Sequence, residues 1–383
     1  MPTLPNQAQP SLEGRYRGLK LRAGLAAATV HRRRLKHANF IGVTGSCGKT
    51  TTKELIAAAL RSELRGRSSP RGRNDLALVG QTILRTTRRD SFCVVEVAAG
   101  RSPGIVARKA KVLRPNIAVV TTIGSDHYKT FRTLDATAAE KRALLVGAAD
   151  GATAVLNADD PHVLAMAEGF RGRVITFGCS PAAMLRALDV RSPWPERLSF
   201  SLHCEGRVVP VRMRLCGKHW VTSALAALAV ASVTGVTLER AVDALTGFEP
   251  LPGRMRPVLR DGVTFIQDDV KAPLWSLGAA FDFLAEAEAA RKIAVIGTIS
   301  DYPGSSARTY VRTARRALEV ADEVIFAGPL AGSALKADTE ALRAFPTASE
   351  AAEYLRSSLR EGDLVLIKGS GEADGLEQVV LAR

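Results

Sequence analysis

The stretch GVTGSCGKTTTKE, from Gly42 to Glu54, limits what this chain can fold into more than any other. It sets a glycine-rich turn between an apolar run and a run of helix formers, the form of a strand, a phosphate-holding loop and a helix. Small residues (Thr44, Gly45, Ser46, Gly48 and Thr51) let successive backbone N–H groups converge on an anion, and the following helix presents its positive end. Lys49 supplies a mobile cation for terminal phosphates, and Thr50 a hydroxyl for magnesium. Val43 stands where the general GxxxxGK[ST] loop has its first glycine, so the pattern is narrower than that of nucleotide hydrolases at large.

The chain has 383 residues, 46% hydrophobic and 24% charged, which suits two or three globular domains and argues against disorder. Five cysteines (Cys47, Cys93, Cys179, Cys204 and Cys216) form no CxxC pair and fit a reducing cytoplasm better than a disulfide framework. Cys47 in the loop reads as a reactive thiol or, more simply, as a small filler. Lys plus Arg outnumber Asp plus Glu by 53 to 38, a formal charge of +15. That excess raises anionic partners, but it is mostly diffuse, so nucleic acid is not the expectation. Its densest run, Arg15 to His37, reads as an amphipathic surface helix or a helix docked on the body, within a basic leader over 1–39. It lacks the cleavage site of a signal peptide, and the longest weakly polar run, Val221 to Val236, is shorter than the ~20 residues of a spanning helix. No transmembrane segment is expected.

From Phe40 onward, β-branched runs alternate with helical ones, the pattern of a mostly parallel sheet covered by helices. Strands are expected at Phe40 to Thr44, Cys93 to Ala98, Asn116 to Thr122, Thr153 to Asn157 and Val174 to Gly178. Helices are expected at Lys49 to Leu64, Leu76 to Arg85, Ala136 to Val146 and Pro161 to Glu168, then an antiparallel hairpin after Pro195 and helices at His219 to Val233 and Leu238 to Leu245. The connector FEPLPGRMRP (Phe248 to Pro257) divides a central domain over 40–247 from a smaller one over 248–383. The second repeats the alternation with VTFIQDD, KIAVIGT, EVIFAG and DLVLIKG as strands. The expected fold class is α/β, a phosphate-loop ATPase domain plus a smaller Rossmann-like α/β domain.

With the motifs VVEVAAG, RPNIAVVTTIGSDH, LNADDP, GKH, LPGRMRPV and LVLIKGS following the phosphate loop in order, the chain resembles the Mur ligase family, and most closely its D-Ala-D-Ala-adding branch. The resemblance implies an ATP-dependent ligase that joins a carboxylate to an amine through an acyl phosphate, in the cytoplasm, with ATP and Mg2+. It implies catalytic roles for Lys49, His127, Lys141 and Arg254. Glu96 matches an acidic magnesium ligand beside Thr50, and His127 a histidine that helps hold a second metal ion. Lys141 stands where the family has a lysine that takes up carbon dioxide; the carbamate would ligate metal, and the plain alternative is a solvent-facing helix lysine. Asn157 matches an adenine-contacting asparagine, and Arg254 a linker arginine that reaches ATP phosphate as the domains close.

Several positions depart from that branch. Trp220 and Ser223 replace two asparagines after His219, and DDVKAPLWSL, from Asp268 to Leu277, replaces DSYNANPxSM. Asp268, Lys271 and Lys368 are the candidates for substrate contact; Lys271 binds an acidic co-substrate or ATP phosphate, or pairs with Asp268 or Asp269. About forty residues precede the loop, too few for the family's uridine-diphosphate domain, so the expectation is a non-standard carboxylate and amine, with a protein partner as one way to supply what is missing. Two other readings stay open: a nucleotide-binding regulatory protein that has lost ligation, and a D-Ala-D-Ala-adding cell-wall ligase completed by a partner.

Overall fold

A computed structural model describes residues 12–72, 74–337, 339–371 and 374–380. The first eleven residues of the leader, and the last three of the expected second domain, lie outside the described residues.

The first unit is a nine-stranded sheet built from β1 (Asn39–Thr44), β2 (Gly66–Ser68), β3 (Phe92–Glu96), β4 (Ile117–Val120), β5 (Thr153–Asn157), β6 (Arg173–Gly178), β7 (Leu185–Arg191), β8 (Ser199–Cys204) and β9 (Arg207–Arg212). Their spatial order is β2-β3-β1-β4-β5-β6-β7-β8-β9. All pairings from β2 to β7 are parallel, and β7-β8-β9 are antiparallel. The central strands are unbroken apolar runs because helices cover both faces, whereas Ser199–Cys204 alternates, with one face packed. Parallel pairing puts the carboxyl ends of β2, β3, β1 and β4 side by side. In register, Val43 of β1 faces Glu96 of β3, so the acid ends its strand next to the phosphate loop.

The second unit joins β10 (Arg256–Arg260), β11 (Val263–Asp268), β12 (Arg291–Ile296), β13 (Glu323–Ala327), β14 (Leu342–Phe345) and β15 (Asp363–Lys368) in the order β10-β11-β15-β12-β13-β14, with only β10 antiparallel. One apolar cluster runs from Ile41 and Leu225 in the first unit to Leu277 and Ile296 in the second. A backbone bond from Glu288 N to Trp194 O crosses the same junction.

The leader forms the helix Leu12–Arg34, packed on the helices Leu76–Arg85 and Ile105–Leu113. Arg32 anchors it, donating to the carbonyls of Leu113 and Arg114 and to Asn116 Oδ1, with its guanidinium over the Phe40 ring. The helix Val221–Thr234 is apolar all round and packs on both the phosphate-loop helix and the sheet.

Several expected boundaries differ. The phosphate-loop helix ends at Arg61, and the Pro161 segment is one α-turn followed by a 3-10 turn. Strands β2, β7, β10 and β14 and the helix Ile105–Leu113 lie in stretches where none was expected.

Candidate active site

The phosphate loop folds as its composition requires. Gly45, at φ +139°, comes so close to Thr121 that a Cβ would lie 2.0 Å from its hydroxyl, and Gly48, at φ +73°, turns the chain into the helix Lys49–Arg61. Ser46 N donates to Thr122 O, and Thr121 Oγ1 to Cys47 O, so the loop is fastened to the strand end of β4. Cys47 is thus a turn residue whose carbonyl is the structural contact. The hydroxyls of Thr44, Thr51 and Thr122 are buried around this loop with no hydrogen-bond partner among the described residues. Unsatisfied donors beside a helix amino terminus fit a phosphate group that would complete them.

Lys49 Nζ lies against the carbonyls of Gly45 (2.8 Å) and Ser46 (3.1 Å). One residue on, Thr50 Oγ1 donates to Glu96 Oε2 at 2.8 Å, and Asn74 Nδ2 donates to Glu96 Oε1 at 3.1 Å. Burial alone would raise the Glu96 carboxyl, but Lys49, the bonds from Thr50 and Asn74, and Arg254 outweigh it and hold the carboxyl below its ordinary value. Arg254, from the connector between the sheets, donates through Nη2 to Thr50 Oγ1 at 3.2 Å. A hydroxyl and a carboxylate oxygen held together are hard donors of the kind magnesium takes, with nucleotide oxygens and water completing its shell. Among the described residues no cluster of three or more His, Cys, Asp or Glu side chains assembles, so protein groups alone do not make a metal cage.

Past Gly124, the loop turns at His127 (φ +53°), which opens the short helix Tyr128–Phe131. Burial lowers the His127 pKa; Asp126 opposes this, while Lys141, Lys271 and Lys49 add to it, so the imidazole is neutral near pH 7. Lys141, on the helix Leu134–Val146, is not solvent-facing: it is fully buried, and its ammonium donates to Asp126 Oδ2 at 2.8 Å. Burial, then Lys49, lowers its pKa to about 8 against the pull of Asp126. Ser46 Oγ donates to the other Asp126 oxygen, which ties this pair to the phosphate loop.

The remaining expected residues fall in two places. Asn157 is buried, its amide donating to Thr121 O (2.8 Å) and accepting from Asp159 N (3.0 Å). Lys368 is paired with Asp268, its register partner across β11 and β15, near the half-buried His219. Lys271 makes no ion pair with Asp268 or Asp269: Asp268 belongs to Lys368, and the charges that act on Lys271 are Lys49, Asp301, Asp126 and Glu96. Those groups line the phosphate-loop cleft, and Trp275, in the same segment, packs on Gly124 beside it, so Lys271 belongs to the part of the second unit that faces the cleft. Ser223 takes a hydrogen bond from Thr52, and Trp220 is buried, so the two replaced asparagines have become packing positions.

Asn74, Asp126 and Trp275 escaped the sequence reading. Trp275 packs on Gly124, where a Cβ would lie 2.8 Å from the indole, and Asp301 accepts from Tyr128 N, so the second unit touches the His127 loop directly. The aspartate and histidine of GSDH, side by side, were the available signal for Asp126; Asn74 and Trp275 had none, because their partners are distant in sequence.

Comparison with known proteins agrees with this geometry. Residues 43–231 match the Mur ligase middle domain, and residues 253–371 the Mur ligase glutamate ligase domain. A UDP-N-acetylmuramoyl-tripeptide--D-alanyl-D-alanine ligase of Mycobacterium tuberculosis (strain CDC 1551 / Oshkosh) is 33% identical over 361 residues, covering 87% of this chain and 71% of the relative. Among solved structures, MurF from Acinetobacter baumannii superposes with a TM-score of 0.86 at 24% identity, over 94% of this chain and 80% of that one. MurF ligase from Thermotoga maritima in complex with ADP gives 0.85 at 22% identity, over 100% and 86%. The chain belongs to the Mur ligase family: it is an ATP-dependent, amide-bond-forming ligase with a central ATP-binding domain and a C-terminal Rossmann-like domain.

Proposed function

We propose that this Mur ligase, in the cytoplasm, binds ATP with Mg2+ at the phosphate loop, converts a carboxylate to an acyl phosphate, and passes the acyl group to an amine. The observation that carries the reading is the chain of contacts Arg254–Thr50–Glu96, which joins the connector, the phosphate loop and the end of β3 around one point.

Thr50 and Glu96 would hold the magnesium, whose chemistry is to neutralise phosphate charge and orient the terminal phosphoryl group. Lys49 and Arg254 bind the phosphates, the guanidinium offering two parallel donors. A carboxylate oxygen attacks the γ-phosphorus and ADP leaves; the amine nitrogen then attacks the acyl carbon, releasing phosphate and a proton. Alignment and charge neutralisation dominate the first step. The contacts of Trp275 and Asp301 with the His127 loop close the cleft against water, which would otherwise hydrolyse the acyl phosphate. Lys141 does not fit a cation as an ammonium; as a carbamate it would, and neutral His127 beside it is a competent second donor. Asn157 acts through the backbone it braces, and Lys271 serves the co-substrate or transferred phosphate from the part of the second unit that faces the cleft. The Asp268–Lys368 pair shapes the amine side.

The altered DDVKAPLWSL segment supports an amine other than that of the D-Ala-D-Ala-adding relatives. A second reading, D-Ala-D-Ala addition itself, is favoured by the 33% identity to a ligase of that name. The test is ADP release that needs both an acid and an amine and disappears in Lys49→Ala. Turnover of the uridine-linked tripeptide with D-Ala-D-Ala would select the second reading; ATP binding without any acid- and amine-dependent turnover would reject both.

A further inference from the structure

The leader helix Leu12–Arg34 is apolar on two opposite faces. Its inner face, with Leu25 and the buried Ala28, packs on the helices Leu76–Arg85 and Ile105–Leu113. On the outer face Leu19, Ala23, Ala26 and Val30 recur at intervals of four, three and four residues, which at ~3.6 residues per turn sets them in one exposed stripe. Leu19 is 66% exposed and Val30 49%. Exposed arginines border the stripe, Arg22 and Arg33 along one side and Arg34 along the other. The outer face of a surface helix is ordinarily polar, so four aliphatic positions in line mark a surface that something covers.

The charge around this stripe has one sign. No Asp or Glu occurs from Gly14 to Lys53, and neither helix beneath the leader contains one. Those helices expose Arg85, Arg108 and Lys111 instead. Asp75 caps the first of them through Leu78 N, and Asp90, just beyond its end, is buried and taken up by Thr87 and Arg67.

From this arrangement we propose that the outer face of the leader helix docks on an anionic lipid bilayer. Leu19, Ala23, Ala26 and Val30 enter the boundary between headgroups and acyl chains, while Arg22, Arg33 and Arg34 reach lipid phosphates. No helix among the described residues is long and apolar enough to cross a membrane, so the contact is peripheral. A second copy fits the face poorly, because a two-fold pairing sets these arginines against themselves. Nucleic acid fits it poorly too: phosphates would satisfy the arginines, but the stripe between them has no aromatic ring to stack and no polar group to read a base. The ATP site is not part of this surface, since the helix precedes the amino end of β1 and the phosphate loop leaves its carboxyl end.

The test is co-sedimentation of the full chain with vesicles of equal parts phosphatidylcholine and phosphatidylglycerol, beside vesicles of phosphatidylcholine alone and a labelled DNA duplex. Binding to the anionic vesicles, weakened by salt, is the expected result. Arg22→Gln with Arg33→Gln should weaken it by roughly 30-fold, the worth of two cations at an anionic surface. Leu19→Gln with Val30→Gln should weaken it several-fold with the charge intact. Arg312→Gln with Arg315→Gln removes the same charge from exposed positions of the helix Ser306–Leu318 and should leave binding unchanged. All six side chains are exposed, so an unchanged urea midpoint separates lost binding from lost folding. Equal weakening by the control pair, or equal binding to the uncharged vesicles, would overturn the proposal. Tighter capture of the duplex than of the vesicles would overturn it in favour of nucleic acid. Self-association without vesicles that disappears in Leu19→Gln with Val30→Gln would overturn it in favour of a second copy.

Discussion

Lys141 and Asp126 are joined by a 2.8 Å hydrogen bond in a pocket closed to solvent, and Ser46 of the phosphate loop holds the aspartate from the other side. This pairing sets two forces against each other. Burial and Lys49 press the ammonium toward neutrality, to a pKa of about 8, while Asp126 holds the proton on. Only the neutral amine adds carbon dioxide, releasing a proton as the carbamate forms, and the carbamate then faces an aspartate that repels it.

Asp126→Asn should therefore raise carbamate occupancy of Lys141 at pH 7, by lowering the lysine pKa further and removing the repulsion. Carbon-13 NMR with labelled bicarbonate reads that occupancy directly. A carbamate signal that is weaker in Asp126→Asn than in the unaltered protein would show that Asp126 positions the lysine instead of competing for it.

Arg254 belongs to the connector yet bonds to Thr50, so its loss should be felt in phosphoryl transfer and not in folding. Arg254→Lys keeps the charge but not the two-donor geometry, and a lost charge-assisted bond of about 2 kcal/mol corresponds to a fall in kcat/KM of roughly 30-fold. Steady-state ADP release, with the urea midpoint as a control for stability, measures it. An unchanged kcat/KM would detach the connector from the chemistry.

The phosphate loop was legible because its constraints are local: Gly45 and Gly48 are required by backbone positions that other residues fill poorly, and Lys49 and Thr50 follow at fixed spacing. Central strands were legible because burial on both faces leaves them uniformly apolar. Gly66–Ser68 was not, since its place as an edge strand comes from packing: a Cβ at Gly66 would lie 2.4 Å from the Phe92 ring, which a three-residue GRS run does not announce. Arg256–Arg260 was hidden in a connector rich in proline, with Pro257 at a strand that pairs on one side only. In the site, the burial of Lys141 and the alternative partners of Lys271 depend on helices and loops brought together by the fold, and no spacing encodes them.

Lys271 is exposed on the part of the second unit that faces the cleft and takes no part in the phosphate loop itself. Lys271→Ala should raise the KM for the co-substrate several-fold with little change in ATP binding, whereas Lys49→Ala should abolish ADP formation. Separate titrations of ATP and of co-substrate check the division. Equal loss of ATP turnover in both variants would place Lys271 on the triphosphate.

His219 connects the site to acid stability. It is half-buried near the Asp268–Lys368 pair, and desolvation lowers its pKa to about 4, with Asp268 opposing and Lys368 adding to the fall. An unfolded histidine titrates near 6.5, so between these values the unfolded chain binds the extra proton and stability falls as pH falls. The contribution is complete above pH 6.5 and is lost progressively toward pH 4. At pH 5 it amounts to about 2 kcal/mol relative to pH 7.5. His219→Leu should remove this dependence, flattening the urea-unfolding free energy between pH 7.5 and pH 5 whatever its effect at neutrality. A variant whose stability still drops by the same amount over that interval would show that other groups carry the acid sensitivity of the junction between the two sheets.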